Sequence, residues 1–198
     1  MVCYYFPPLG GIGSVRALRF ASLLPEFGWQ PTVLAPSRGA YYRDPSLAFP
    51  EGQVVRTRSL ELSRTGKRAF ALGGDDTVPA PLGRGTARRL RAFARRWVYR
   101  PDAQVGWYPF AVTAGRALLR RKSFDVVFSS SFPITAHLIA RRLARDFTLP
   151  WVAEFRDVWT DAAEYDSAAR RRSDQRTERT LLRDADAVVT VSPRSPSP

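Results

Sequence analysis

The chain has 198 residues, 44% of them hydrophobic, with five Trp, seven Tyr and twelve Phe; that suffices for one domain with a substantial core and falls short of two full α/β domains. Its 31 Lys+Arg against 18 Asp+Glu give a formal charge of +13, a field that favours anionic partners such as nucleic acid, acidic lipid headgroups or phosphorylated substrates. One cysteine, Cys3, and one histidine, His137, exclude an intrachain disulfide and a Cys-based metal site, remove most His-ligand sites, and fit a reducing cytoplasmic compartment.

The elements follow in chain order. Residues 2–6, VCYYF, read as a short buried strand, and PPLGG as the turn after it. The start MVCYYFPPLGG has no basic n-region and no long apolar h-region, so it does not read as a signal peptide. No apolar run approaches the ~18–20 residues that span a bilayer, so any membrane contact is expected from the surface.

Residues 14–27 carry Val15, Leu18, Ala21 and Leu24–Phe27 at helical spacing, with Ser14 as the expected N-cap and Gly28 as the stop. WQPTVLAP (29–36) and QVVRTRS (53–59) read as the second and third strands, with a loop over 37–52 between them. Residues 60–86 include a Gly/Pro-rich loop. TARRLRAFARRWVYR (86–100) is a basic helix with Leu90, Phe93, Ala94, Trp97 and Val98 on one face. Its aromatic face and Arg flanks match an interfacial helix on an anionic membrane, and equally a helix packed on its own domain.

The spacing predicts a helix over 108–121, a strand over 124–131 and an amphipathic helix over 134–147. A strand over 149–157, a charged helix over 166–184 and a last strand over 187–192 complete the order, with no internal repeat. Strands alternating with helices mean βαβ units. The expected fold class is therefore α/β: a Rossmann-like, doubly wound, mostly parallel sheet. One domain is expected over 1–192, with a loop and basic-helix insertion about 60–100 and a tail at 193–198.

Three segments could carry chemistry. In FPPLGGIGSVRAL, Gly10, Gly11 and Gly13 follow the first strand, where a glycine backbone can approach a ligand and the next helix offers unpaired N–H groups to a phosphate, with Arg16 one turn in. An NAD fingerprint wants a third glycine where Arg16 stands and an acid where the second strand ends in Ala35 and Pro36. The short-chain dehydrogenase spacing wants a glycine at Pro7. No GK[ST] follows, which excludes a P-loop. An NAD-dependent oxidoreductase or epimerase is therefore disfavoured without being excluded.

In SSSFPITAH, Ser129–Ser131 close a strand and Pro133 opens a helix at an N1-like place, with His137 one turn further on. Ser130 and its neighbours could bond a sugar or phosphate; no Gly-x-Ser-x-Gly elbow marks a nucleophile. His137 reads either as a satisfied core residue or as part of the same cleft. In EFRDVW, three charges close an apolar strand and are costly to bury unless paired. Arg156 with Asp157 reads as an ion pair shaping the cleft, and Asp157 equally as a base or hydroxyl acceptor. A non-catalytic module for anionic membranes or nucleic acid stays open on charge alone, although no recognised DNA or RNA motif accompanies the basic helix.

Together, YYFPPLGGIGSVRALRFASLLPEFGWQPTVLAP, VGWYPFA, FDVVFSSSFPITAHLIARRLA, LPWVAEFRDVW and ERTLLRDADAVVTVS resemble glycosyltransferase family 4, in its subgroup with a "4-like" N-terminal domain. They run in the family's order and cover most of the chain except about 37–100. The resemblance implies one half of a GT-B fold, two Rossmann-like domains facing a cleft. The N-terminal one holds the acceptor and the C-terminal one the nucleotide-sugar. It implies a retaining, metal-independent transferase with no cofactor beyond its nucleotide-sugar substrate. The acceptor would be lipid-linked or a polysaccharide, met in the cytoplasm or peripherally at the inner face of the membrane.

By position, Gly10, Gly11, Gly13 and Arg16 would meet the donor phosphates, Ser130, Pro133 and His137 would line the acceptor side, and Arg156 and Asp157 would lie at the reacting sugar. Some relatives carry a histidine near Arg156, and that role does not transfer. The sequence ends after the last strand of this half. The expectation is that the donor-binding C-terminal domain is missing or on a separate chain, that the chain alone is catalytically incompetent, and that no specific nucleic acid is bound.

Overall fold

A computed structural model describes residues 1–37, 42–60, 100–157, 159–160, 165 and 167–191. The expected Gly/Pro-rich loop, the basic helix over 86–100 apart from Arg100, and the terminal tail lie outside the described residues.

Six parallel strands form one sheet: β1 (Val2–Cys3), β2 (Val33–Pro36), β3 (Val54–Thr57), β4 (Val127–Ser130), β5 (Trp151–Phe155) and β6 (Ala187–Thr190). Their spatial order is β3-β2-β1-β4-β5-β6. The chain winds outward from β1 through β2 to β3, returns to the middle, and winds outward again from β4 to β6, the order of a doubly wound Rossmann-like sheet. Four described helices complete it: α1 (Ile12–Leu23), α2 (Tyr108–Arg121), α3 (Thr135–Phe147) and α4 (Ala168–Asp184).

The strands read from the sequence are all present but shorter than the apolar runs that signalled them. β1 keeps two residues; Val2 pairs with Leu34 on one side and Ser129 on the other, and Cys3 with Ser130. Tyr4 and Phe6 continue the buried path without joining the ladder.

Two expectations about α1 need correction. Ser14 is not the N-cap. The helix begins two residues earlier at Ile12, with Gly11 capping at φ 95°, a left-handed conformation that glycine takes without a Cβ penalty. Ser14 is buried instead, and its hydroxyl donates to the Gly10 carbonyl at 3.3 Å. The buried face is also rotated from the one that Val15 and Leu18 suggested: Ser14, Ala17 and Ala21 face inward and Val15 is exposed. These small residues pack on Cys3, Phe6, Val33 and Ala35, forming the core on this side of the sheet. Pro25 then breaks the α-helical ladder, so Leu24–Phe27 forms a 3-10 turn that Gly28 ends at φ 80°.

The larger core lies on the other side, under α2 and α3. There Ala136, Ile139, Ala140 and Leu143 of α3 meet Trp151, Ala153 and Phe155 of β5, with Leu181 of α4 alongside. α2 occupies the expected residues, with its basic last turn, Arg120 and Arg121, at the negative end of the helix dipole. α3 begins at Thr135 after Ile134 as N-cap, so Pro133 sits just before the helix rather than at its first position. Its capping oxygens come from across the fold: Asp102 accepts from the Thr135 amide at 2.8 Å and the Thr135 hydroxyl at 2.7 Å. Among the described residues, no helix is long and apolar enough to cross a membrane.

Candidate functional site

Parallel strands all present their carboxyl ends on one edge, and the crevice opens where the winding direction reverses. Here that point lies between β1 and β4. The segments leaving the sheet at this edge are the glycine turn after β1, the Ser131–Pro133 bend after β4, and Arg156–Asp157 after β5.

The glycine turn is held from several sides. The Gly10 amide donates to the Tyr42 carbonyl at 2.9 Å, the Leu9 amide to Phe6 at 3.1 Å, and an Arg56 guanidinium nitrogen to the Pro7 carbonyl at 2.5 Å. A Cβ on Gly10 would lie 2.3 Å from the Tyr42 ring, so the absent side chain makes room for that aromatic. Gly11 turns the chain into α1, whose amino end carries no side-chain cap. A Cβ on Gly13 would lie 2.7 Å from an Arg156 guanidinium nitrogen. The Arg156 guanidinium therefore rests directly on the first turn of α1, and the glycine turn and the FRD segment form one cluster.

That cluster contains a second contact the sequence did not disclose. Arg16 of α1 donates through Nε to Oε1 of Glu154, whose residue is 0% exposed, and Oε2 of Glu154 has no hydrogen-bond partner. Glu154 on β5 and Arg156 just after it, two residues apart, lie on the α1 side of the sheet. Arg156 pairs with Asp157 at 3.2 Å, as the sequence suggests, and the Asp157 side chain is 57% exposed. The site is thus an uncapped helix amino end flanked by two guanidiniums, each held by a carboxylate. Its overall charge is nearly balanced, and its anion-attracting groups are concentrated on the glycines.

The SSSFPITAH residues divide. Ser131 donates from its amide (3.0 Å) and hydroxyl (3.3 Å) to the Glu154 carbonyl, tying the end of β4 to β5. Ser130 is nearly covered beside Cys3, and Pro133 is buried. His137 requires a correction, because it does not face the cleft. Its ring is 0% exposed, packed on Trp151 and Phe155 with centroids 6.0 and 4.4 Å away. The Ser129 hydroxyl receives the indole N–H of Trp151 at 2.8 Å and shares a hydrogen bond with Nδ1 of His137 at 2.8 Å. Burial lowers the imidazole pKa to about 3 and leaves it neutral. The apolar residues of α3 and β5 explain the outcome: a helix that buries positions 136, 139, 140 and 143 also carries 137 inward.

The residues missed by sequence reasoning are Glu154 as a partner of Arg16, and Tyr42. The first had a signal, a charge inside an apolar strand, but its partner is 138 positions away. The second had none. A separate cleft of about 640 Å³, lined by Phe20, Trp29, Phe124 and Phe128, opens at the amino-terminal end of the sheet.

Among the described residues, no group of three or more His, Cys, Asp or Glu side chains could hold a metal ion. No curated protein matches the sequence. A family model described as the glycosyl transferase 4-like domain matches residues 10–195, which takes in the glycine turn, the SSSFP bend and the FRD strand end. The chain belongs to the glycosyl transferase 4-like domain family.

Proposed function

We propose that this domain is the acceptor-side half of a retaining glycosyltransferase, working across a cleft from a nucleotide-sugar-binding domain carried on the same or another chain. The supporting observation is the convergence of Gly11, Gly13, Arg16 and Arg156 at the switch point of the sheet. In this reading the sugar diphosphate approaches Gly10–Gly13, where the α1 amide groups and Arg16 attract it. The bond between the sugar C1 and the phosphate oxygen breaks, and negative charge builds on the departing diphosphate. Dipoles and guanidiniums already aimed at that place stabilise the charge without reorganising. A new bond forms between C1 and the acceptor oxygen, whose O–H bond breaks as the proton passes to the Asp157 carboxylate.

Asp157, the exposed carboxylate of the cluster, accepts the hydrogen bond of the acceptor hydroxyl, and Arg156 holds Asp157 in place. Ser130 and Pro133 shape the acceptor side through the backbone, with His137 supporting them from the core. The proposed acceptor is lipid-linked or a polysaccharide, met at the inner face of a membrane, where the basic segment 86–100 would attract anionic lipid. The reading is metal-independent and needs no cofactor. Family membership favours this reading over an NAD-dependent oxidoreductase or epimerase and over a non-catalytic membrane- or nucleic-acid-binding module.

The check is sugar transfer from nucleotide-sugar donors by the domain together with its donor-binding partner domain. Gly11→Val places a branched residue at φ 95° and is expected to lower turnover by about 10²-fold or more. Asp157→Asn, at an exposed position that leaves folding intact, is expected to do the same. Wild-type turnover in both variants refutes the assignment.

A further inference from the structure

We infer that Glu154 is a positioning residue that makes Arg16 and Arg156 a two-point anion clamp on the glycine turn. The inference rests on the diphosphate reading above and adds a residue and a geometry to it.

A carboxylate at 0% exposure at the end of β5 needs a partner, and Arg16 supplies one through Nε alone. A guanidinium has five N–H donors in a fixed plane. With Nε committed to Glu154, that plane is pinned, and its two terminal nitrogens are set without using them. The Arg16 guanidinium lies over the Phe20 ring, 5.3 Å from its centroid, which fixes the face of the plane as well. Arg156 is placed beside it: its terminal nitrogen occupies the place of a Gly13 side chain, one helical turn before Arg16 on the same face of α1. Both arginines are thereby aligned about the amino end of α1. Two guanidiniums side by side next to free helix amides recognise a doubly charged, extended anion such as a diphosphate better than a single charge. The second oxygen of Glu154 is buried and has no hydrogen-bond partner, so the side-chain contact of this carboxylate is the one to Arg16.

Charge and position make opposite predictions here. A buried negative charge near an anion site weakens anion binding by repulsion, so if Glu154 were a bystander, neutralising it would tighten binding. If Glu154 positions Arg16, what matters is its acceptor oxygen. The experiment titrates inorganic pyrophosphate into the purified chain and into Glu154→Gln and Glu154→Met, following affinity by calorimetry and the Gly11 and Gly13 amides by NMR. Gln keeps an acceptor for Arg16 Nε, and Met removes it; both remove the charge.

The expected result is wild-type or tighter binding for Gln and about tenfold weaker binding for Met, the scale of one charge-assisted hydrogen bond. Gln and Met moving alike overturns the inference while leaving the diphosphate reading intact. No pyrophosphate binding by the wild type, with unshifted glycine amides, overturns the diphosphate reading and this inference with it. Where Met does not melt cooperatively, Arg16→Lys serves instead. It keeps the charge but loses the planar fork, and about tenfold weaker binding is again expected. Wild-type affinity in Arg16→Lys overturns the clamp.

Discussion

Replacing Gly13 by Ala separates what the glycine turn does for folding from what it does for binding. Gly13 is the second residue of α1 and lies outside the left-handed region, so Ala can adopt its backbone angles. Ala in a helix is favoured over Gly by roughly 0.5–1 kcal/mol. The new methyl group meets an Arg156 guanidinium nitrogen at 2.7 Å and the Tyr5 Cβ and Cδ2 at 3.4 Å. The Tyr5 contacts are tight but ordinary; the Arg156 contact is not, and Arg156 must swing away. It is the far end of a flexible side chain, so the movement costs little beyond the Arg156–Asp157 pair. One member of that pair is more than half exposed, which makes it worth about 0.2–1 kcal/mol.

The terms nearly cancel. Gly13→Ala should fold with a stability within about 1 kcal/mol of wild type, or about 2–4 °C in Tm for a chain of this size. The same variant should bind pyrophosphate about tenfold more weakly, about 1.4 kcal/mol, because one arm of the clamp has been displaced. Urea denaturation and a pyrophosphate titration on the same preparation read both quantities. Wild-type affinity in a stable Gly13→Ala protein refutes the role given to Arg156 on the turn. A stability loss beyond about 2 kcal/mol refutes the premise that Arg156 can move freely.

A contrasting outcome is expected at Gly106, where an added Cβ lies 1.9 Å from the Leu60 carbonyl oxygen. That neighbour is backbone, so Gly106→Ala should destabilise by about 2–3 kcal/mol with an unchanged m-value, and a wild-type urea midpoint would contradict the packing described. His137 gives a pH signature. Its pKa falls from 6.5 to about 3 on folding, so the unfolded chain binds a proton that the folded chain refuses. The stability it confers is complete above pH 6.5 and is lost as pH falls toward about 3, at up to about 1.4 kcal/mol per pH unit. His137→Asn, which keeps a polar partner for Ser129, should lack that component; stability–pH curves for the two proteins that run parallel below pH 6.5 would show that the imidazole is not buried neutral.

The sequence disclosed what depends on local pattern. Alternating apolar runs and amphipathic stretches located every described strand and helix, because a parallel sheet needs residues buried on both faces and helices with one apolar face. α1 is where pattern misled. Its larger apolar residues, Val15 and Leu18, suggested the inward face, but Ser14 and Ala17 lie there with the expected Ala21, since small side chains suit a helix packed close to Cys3, Val33 and Ala35. Ser14 looked like a cap because hydroxyl residues are favoured there; Gly11 takes the role at φ 95°, a conformation glycine adopts without a Cβ penalty. Arg156 and Asp157 were legible as a pair because they are adjacent. Arg16 with Glu154, and Tyr42 over Gly10, were not, because tertiary partners distant in sequence leave no periodic trace.

The arrangement of charge at the turn has a physical consequence of its own. The amino end of a helix carries roughly half a positive charge, so placing guanidiniums beside it is unfavourable unless anions are close by. This protein places two there, Arg16 and Arg156. The carboxylates that compensate them stand to one side: Glu154 is buried behind Arg16, and Asp157 projects toward solvent. Neither caps α1, whose amino end has no side-chain cap. A site built only for stability would put an Asp or Ser at the cap, which is worth about 1 kcal/mol. Glycine there forgoes that stabilisation and leaves the amides and both guanidiniums available to one external anion. The same balance explains why the turn belongs at the switch point: only between β1 and β4 can an element from the first half of the winding, α1, meet the strand end of the second half that carries Glu154 and Arg156.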